Sequence, residues 1–110
     1  MNKQSQGVSM KYAIDSTLGN LHITIKGRLT YTDYNNFNYI TNAVGEHENQ
    51  QCIIDLSELD FIDSAGMGML LMARDKAFRH KVQITIKSPQ GQVGKMLELG
   101  KFDTIFLIEH

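Results

Sequence analysis

Gln51-Cys52-Ile53-Ile54-Asp55-Leu56, followed a short way on by Asp63-Ser64-Ala65-Gly66-Met67-Gly68, decides the fold of this chain. The first run is short and largely apolar, which predicts a central strand covered on both faces. The second opens a helix running from Ser64 to about Arg79. Gly66, Leu70, Ala73 and Ala77 fall on one line of that helix, Met67, Leu71 and Phe78 on its flank, and Asp75 and Arg79 opposite. Ser57 to Asp63 reads as a connecting loop that carries Leu59, Phe61 and Ile62 for packing.

Toward the N-terminus, Lys11 to Asp15 is a weak, short strand candidate, and Leu21 to Lys26 alternates strictly between apolar and polar. Leu18-Gly19-Asn20 lies between them as a turn, too short for a helix, so the two strands predict an antiparallel hairpin. Gly27-Arg28-Leu29-Thr30 is read as breaking the second strand, with Thr30, Thr32 or Asp33 capping a helix. Tyr34, Phe37, Thr41 and Val44, with Ile40 alongside, form one helical stripe that Gly45 and His47-Glu48-Asn49-Gln50 close. Toward the C-terminus, Lys81 to Lys87 alternates again, and Ser88-Pro89 turns the chain. Val93, Met96, Leu97 and Leu99 mark a short helix ended by Gly100, and Thr104 to Ile108 is a last apolar strand. The order is ββαβαβαβ. It predicts a single α/β domain over residues 10–110, with a mixed, mostly parallel sheet, an opening antiparallel hairpin and about three helices. Residues 1–9 are polar and read as a flexible arm.

Composition narrows the function. With 110 residues and a net charge of −1 there is no clustered excess of Lys and Arg, so nucleic acid is not an expected partner. The single cysteine, Cys52, excludes an internal disulfide and a multi-thiolate zinc site, and its apolar strand predicts a buried, inert thiol. No apolar run is long enough to span a bilayer and none follows the N-terminal charge as a secretory signal, so the expectation is a cytoplasmic protein without a membrane partner.

Ser64 stands at or beside a helix N-cap, where a hydroxyl is accessible and bare backbone surrounds it. Two glycines in the first turn and a half cost the helix roughly 1 kcal/mol each relative to alanine. Gly66 lies on the buried line, so close packing accounts for it. Gly68 falls near the exposed side with Asp75, where packing gives no reason for it. Among the methionines, Met67 fits the flank of the core, while Met69 projects toward the side of Lys76 and is expected at a partner contact.

Asp55-Leu56-Ser57, the loop with Phe61-Ile62, Asp63-Ser64-Ala65-Gly66-Met67-Gly68 and the apolar helix resemble the signature of the STAS domain, and more narrowly a free-standing anti-sigma-factor antagonist. The resemblance covers about Lys11 to Ile108. It implies that Ser64 is phosphorylated by a partner serine kinase that is also the anti-sigma factor, and that a serine phosphatase reverses this. It implies a docking set of Asp63, Ser64, Gly66, Met67, Gly68 and Met69, joined by Arg28 and Thr30, with Asp55 and Gly27 as structural positions. Where the family often has an acidic residue after the glycine of the second strand, this chain has Thr30. No cofactor is implied, since ATP and magnesium serve the kinase. The protein itself is expected as a monomer or weak homodimer.

Other readings meet obstacles in the residues. A phospho-accepting receiver with Asp55 as acceptor needs an acidic magnesium cluster, and Asp15 is the only carboxylate near the first strand. A serine nucleophile needs a positioned base, and His22, His47, His80 and His110 are scattered, so no enzyme is expected. A STAS scaffold or accessory subunit of a signalling or transport assembly remains the alternative, although a scaffold has no need of a reactive hydroxyl at Ser64.

Overall fold

The opening hairpin forms as its spacing predicts. In the computed structural model, which describes residues 9–17, 19–46 and 51–110, β1 (Met10–Thr17) pairs antiparallel with β2 (Asn20–Leu29) from Met10↔Gly27 to Thr17↔Asn20. β2 does not stop at Gly27. It continues to Leu29, with Gly27 at φ +86° and a register shift between Gly27 and Arg28 against β4 (Leu59–Ile62). A Cβ at Gly27 would lie 2.7 Å from the Ser9 carbonyl oxygen, so this bulge requires a residue with no side chain. The glycine bends the strand rather than breaking it.

The sheet runs β1-β2-β3-β5-β6, where β3 is Gln51–Asp55, β5 is Gln83–Lys87 and β6 is Leu107–Glu109. Apart from the hairpin, all its pairings are parallel. The loop expected over Ser57 to Asp63 contains β4, which lies along the end of β2 beyond β3. Four residues with a single exposed position, Asp60, are too few to display an alternation. The order is therefore ββαββαβαβ, one strand more than the sequence predicts, and the class is the α/β domain with three helices.

One face of the sheet is packed and the other is open. Leu21, Ile23 and Ile25 of β2, Cys52 and Ile54 of β3, and Ile84 and Ile86 of β5 enter one core with α1 (Tyr34–Gly45) and α2 (Ser64–Arg79). Full burial of each large aliphatic side chain contributes about 1.5–3 kcal/mol. On the opposite face His22, Thr24, Ile53, Asp55 and Thr85 are half-buried, and Gln51, Gln83 and Lys87 are exposed. β3 is central in the sheet order but is covered on one face, not two. Burial pushes the Cys52 thiol up to about 12, which leaves it unreactive at neutral pH.

Several side chains read as core lie outside it. Tyr34 is exposed, and Ala43 takes its place with Phe37, Ile40 and Val44. Phe78 is 77% exposed and Leu99 at the end of α3 (Gly91–Leu99) is 79% exposed. β6 starts at Leu107 rather than Thr104, because Phe102–Thr104 forms a 3₁₀ turn that buries Phe102. Lys81, at φ 60°, turns the chain and delays β5 to Gln83. His47 to Gln50 and residues 1–8 of the predicted arm lie outside the described residues.

Ser9, read as the last residue of the arm, is instead anchored. Asp33 is fully buried and accepts hydrogen bonds from the N–H groups of Ser9 (2.7 Å), Met10 (3.0 Å) and Thr30 (2.8 Å) and from the Ser9 hydroxyl (2.9 Å). It closes the 3₁₀ turn Tyr31–Asp33 that leads from β2 into α1, and ties that turn to the first residues of β1. Burial alone raises its carboxyl pKa, but the donors from Thr30, Ser9 and Met10 outweigh it and hold the group below the ordinary range. A depressed carboxylate contributes stability that is present above the unfolded value, about 3.9, and is lost as pH falls through the folded value. Asp33→Asn is expected to lower unfolding stability by about 2–4 kcal/mol and to flatten the acid limb of the stability curve below about pH 4. Urea melts of both proteins between pH 7 and 3 measure both effects.

Candidate functional site

The amino end of α2 is assembled by Asp63. Its backbone N–H donates to the Leu29 carbonyl (3.2 Å), its Oδ1 accepts the Gly66 N–H (2.7 Å), and its Oδ2 accepts the Tyr31 N–H (3.1 Å). One side chain thus caps α2 and fastens it to the turn after β2. Because Asp63 is the N-cap, Ser64 is the first helical residue rather than the cap. Its side chain is exposed, and its hydroxyl makes no hydrogen bond to another described residue. The capping duty falls on the aspartate, which leaves the serine oxygen free.

Gly66 is a packing residue. A Cβ there would lie 2.5 Å from the Leu29 carbonyl oxygen and 2.8 Å from Ile62 Cγ1, so α2 approaches the end of β2 only because position 66 has no side chain. It is buried and does not face a partner. Gly68 differs: a Cβ would meet nothing within 4 Å. Its glycine is unexplained by packing, as the sequence indicates. Met69, expected at a partner contact, is 2% exposed and belongs to the core, because its direction on α2 is inward beside Leu70 and Ala73. Met67 is half-buried against Gly100, where its Cε would stand 2.7 Å from an added Cβ, while Met72 is 38% exposed.

Arg28 and Thr30 leave β2 beside this helix end. Arg28 is exposed, and its guanidinium lies 4.2 Å above the centroid of the Phe61 ring, directly opposite it in the β2–β4 register. Thr30 is half-buried and bound to the Thr32 hydroxyl (3.0 Å) as well as to Asp33. Asp55 is at the end of β3. Partial burial raises its carboxyl pKa, but the Ser57 N–H at 2.9 Å, the Ser57 hydroxyl, Lys87 and His22 together pull it below the usual range. His22 Nε2 stands 3.9 Å from Asp55 Oδ2, a pairing that the sequence separation conceals. Among the described residues, no three His, Cys, Asp or Glu side chains gather into a metal site.

Two contributors escaped sequence reading. Tyr31 is 72% exposed with its backbone held by Asp63, so an aromatic ring stands beside the helix end. Its signal in the sequence was a tyrosine between two candidate caps. Gln92 of α3 grips β4: it accepts the Ile62 N–H at 3.0 Å and donates to the Ile62 carbonyl at 2.9 Å. Nothing in the local pattern marks that glutamine.

The two glycines predict opposite results. Gly66→Ala is expected to destabilise by about 1–3 kcal/mol through overpacking against rigid backbone. Gly68→Ala is expected to stabilise by about 0.5–1 kcal/mol, as helix propensity alone dictates. Thermal and chemical melts of the pair give the sign of each.

A model of the STAS domain matches residues 11–110. A STAS-domain containing protein of Pseudomonas aeruginosa is 30% identical over 88 residues, which cover 80% of this chain and 86% of that protein. The crystal structure of an anti-sigma factor antagonist from Mycobacterium paratuberculosis is similar with a TM-score of 0.79 at 17% identity, over 92% of this chain and 86% of its own. The anti-sigma factor antagonist SpoIIAA of Bacillus in its unphosphorylated form is similar with a TM-score of 0.74 at 16% identity, over 91% and 89%. At these identities the structural likenesses establish the fold.

Proposed function

The chain belongs to the STAS domain family, and we propose that it is a phosphorylation-controlled binding module rather than an enzyme. Unphosphorylated, it docks an anti-sigma factor that is also a serine kinase, and so frees a sigma factor or another output regulator. The kinase transfers the γ-phosphoryl group of ATP to the Ser64 oxygen. The serine proton passes to a base on the kinase and ADP departs, so ATP and magnesium stay with the kinase. A serine phosphatase restores the hydroxyl by hydrolysis. The observation that carries this reading is the exposed, uncommitted Ser64 hydroxyl at the first position of α2, with the cap supplied by Asp63. That anti-sigma factor antagonists are among the similar folds supports the class of partner.

A phosphate adds about 1.5–2 negative charges and three strong acceptors. At a helix N-terminus the free N–H groups and the macrodipole attract an anion, so the modified domain stays folded. Against a docked partner the same charge is desolvated, and an unpaired buried charge is strongly unfavourable. Asp63 and exposed Asp60 add like charge nearby. The docking surface is then Ser64 with Asp63, Gly68, exposed Arg28 and Tyr31, and the accessible parts of Thr30 and Met67. No helix among the described residues is long and apolar enough to cross a membrane.

Co-purification from the native host, followed by ATP and intact-mass measurement with site mapping, tests the proposal. The expected result is one added phosphate on Ser64, absent in Ser64→Ala. Ser64→Asp is expected to weaken partner binding by about 100-fold or more, the ~3 kcal/mol cost of an unpaired charge at an interface, with its melting temperature nearly unchanged. A melting loss large enough to explain the lost binding overturns the mechanism. A stable complex with transport subunits and no phosphate overturns the functional class.

A further inference from the structure

The solvent face of α1 has no part in the Ser64 surface as proposed, and its composition is unusual. Over its 12 residues α1 carries no charged side chain, and Asn35, Asn38, Tyr39 and Asn42 are exposed along its crest. Helix stability does not call for this, because asparagine and tyrosine are mediocre helix formers. Nor does solubility, which is ordinarily served by Lys and Glu. Depleted charge with added tyrosine is the composition of a contact surface. α1 also stands as a ridge between two shallow grooves. One, of about 440 Å³, lies against α2; Asn38, Thr41 and Asn42 face Leu71 and Met72 (39% and 38% exposed) across it, and Asp75, Lys76 and Arg79 of α2 complete its wall. The other, of about 460 Å³, lies against β1, where Tyr39 stacks on Tyr12 with centroids 6.4 Å apart.

We propose that this face is the contact between two copies of the chain, the α1 ridge of each lying in the α1–α2 groove of the other across a two-fold axis. A two-fold contact sets a patch against itself, so a charge near the axis meets its like. α1 has none to meet, and on the α2 wall of the groove Asp75 and Arg79 neutralise each other in an ion pair at 3.1 Å. An asparagine amide and a tyrosine hydroxyl each combine donor and acceptor, so each pairs with its own copy. Ridge-in-groove packing on both sides covers Leu71 and Met72 in each copy, and a net charge of −1 adds little repulsion at long range. The Tyr12–Tyr39 stack fixes one aromatic before contact and lowers the ordering cost. A helix of this length spans only about 18 Å, so the contact falls short of the ~1,600 Å² of a standard interface. The dimer is accordingly weak, with Kd of the order of 0.01–1 mM.

Sedimentation equilibrium of the full chain from about 10 µM to several mM tests this, a span chosen to bracket the weak association of a small contact. The weight-average mass is expected to rise from 12.5 kDa toward twice that value. Asn38 lies near the middle of α1 and so near the axis. Asn38→Asp and Asn38→Lys, each on an exposed side chain and each with unchanged melting, are expected to remain monomeric alone. An equimolar mixture of the two is expected to associate, because opposite charges then face each other. Wild type that stays at 12.5 kDa throughout, as when only a different protein occupies the face, overturns the proposal. So does an Asn38→Asp variant that associates like wild type, or a mixture that stays monomeric.

Discussion

The approach of α2 to the end of β2 is the constraint on which the rest of the site depends. The Leu29 carbonyl lies so close to the first turn of α2 that only glycine fits at position 66. That closeness puts Asp63 within reach of two backbone amides on separate segments, Gly66 and Tyr31. With both carboxylate oxygens engaged, the aspartate fulfils the capping requirement of the helix, and the neighbouring serine is left with no structural task. A free hydroxyl on a rigid scaffold is thus a product of backbone packing two residues away. The groups that fix the helix end are backbone amides and a carboxylate already in place, so the fold asks nothing of the serine side chain.

A second carboxylate does comparable work at the other side of the turn. Asp33 is buried, yet it is compensated by three backbone N–H groups and a hydroxyl, so its desolvation is offset by hydrogen bonds rather than by a counter-ion. Between them, Asp33 and Asp63 hold the 3₁₀ turn Tyr31–Asp33 from both ends. Tyr31 therefore presents its ring from a fixed backbone rather than from a free loop, which reduces the entropy lost when something docks on it.

Much of this was legible in the residues and some was not, for definite reasons. Strict alternation in Leu21 to Lys26 and the Gly66–Leu70–Ala73–Ala77 line each state a period several times over, and the hairpin, the class and α2 followed. Leu59–Ile62 states its period barely once, so the residues alone do not distinguish this strand from a loop. Gly27 signals only that an unusual backbone is present; whether it ends or bends a strand depends on Ser9, far away in sequence. Met69 is not legible as core because helical angle alone does not say how wide the buried stripe is, and here the stripe reaches it. The free hydroxyl of Ser64 was legible. That Asp63 frees it by bridging to Tyr31 was not, since the partner is 32 positions distant.

Gln92 closes the outer edge of β4 with a side-chain amide, standing in for the strand that would otherwise continue the sheet there. An amide reproduces the donor and acceptor of one peptide unit but offers no further rungs, so the ladder terminates. An extended segment from another molecule cannot graft onto that margin unless α3 swings aside first. The last helix consequently acts as a stopper, guarding that margin from indiscriminate strand addition while leaving Ser64 uncovered.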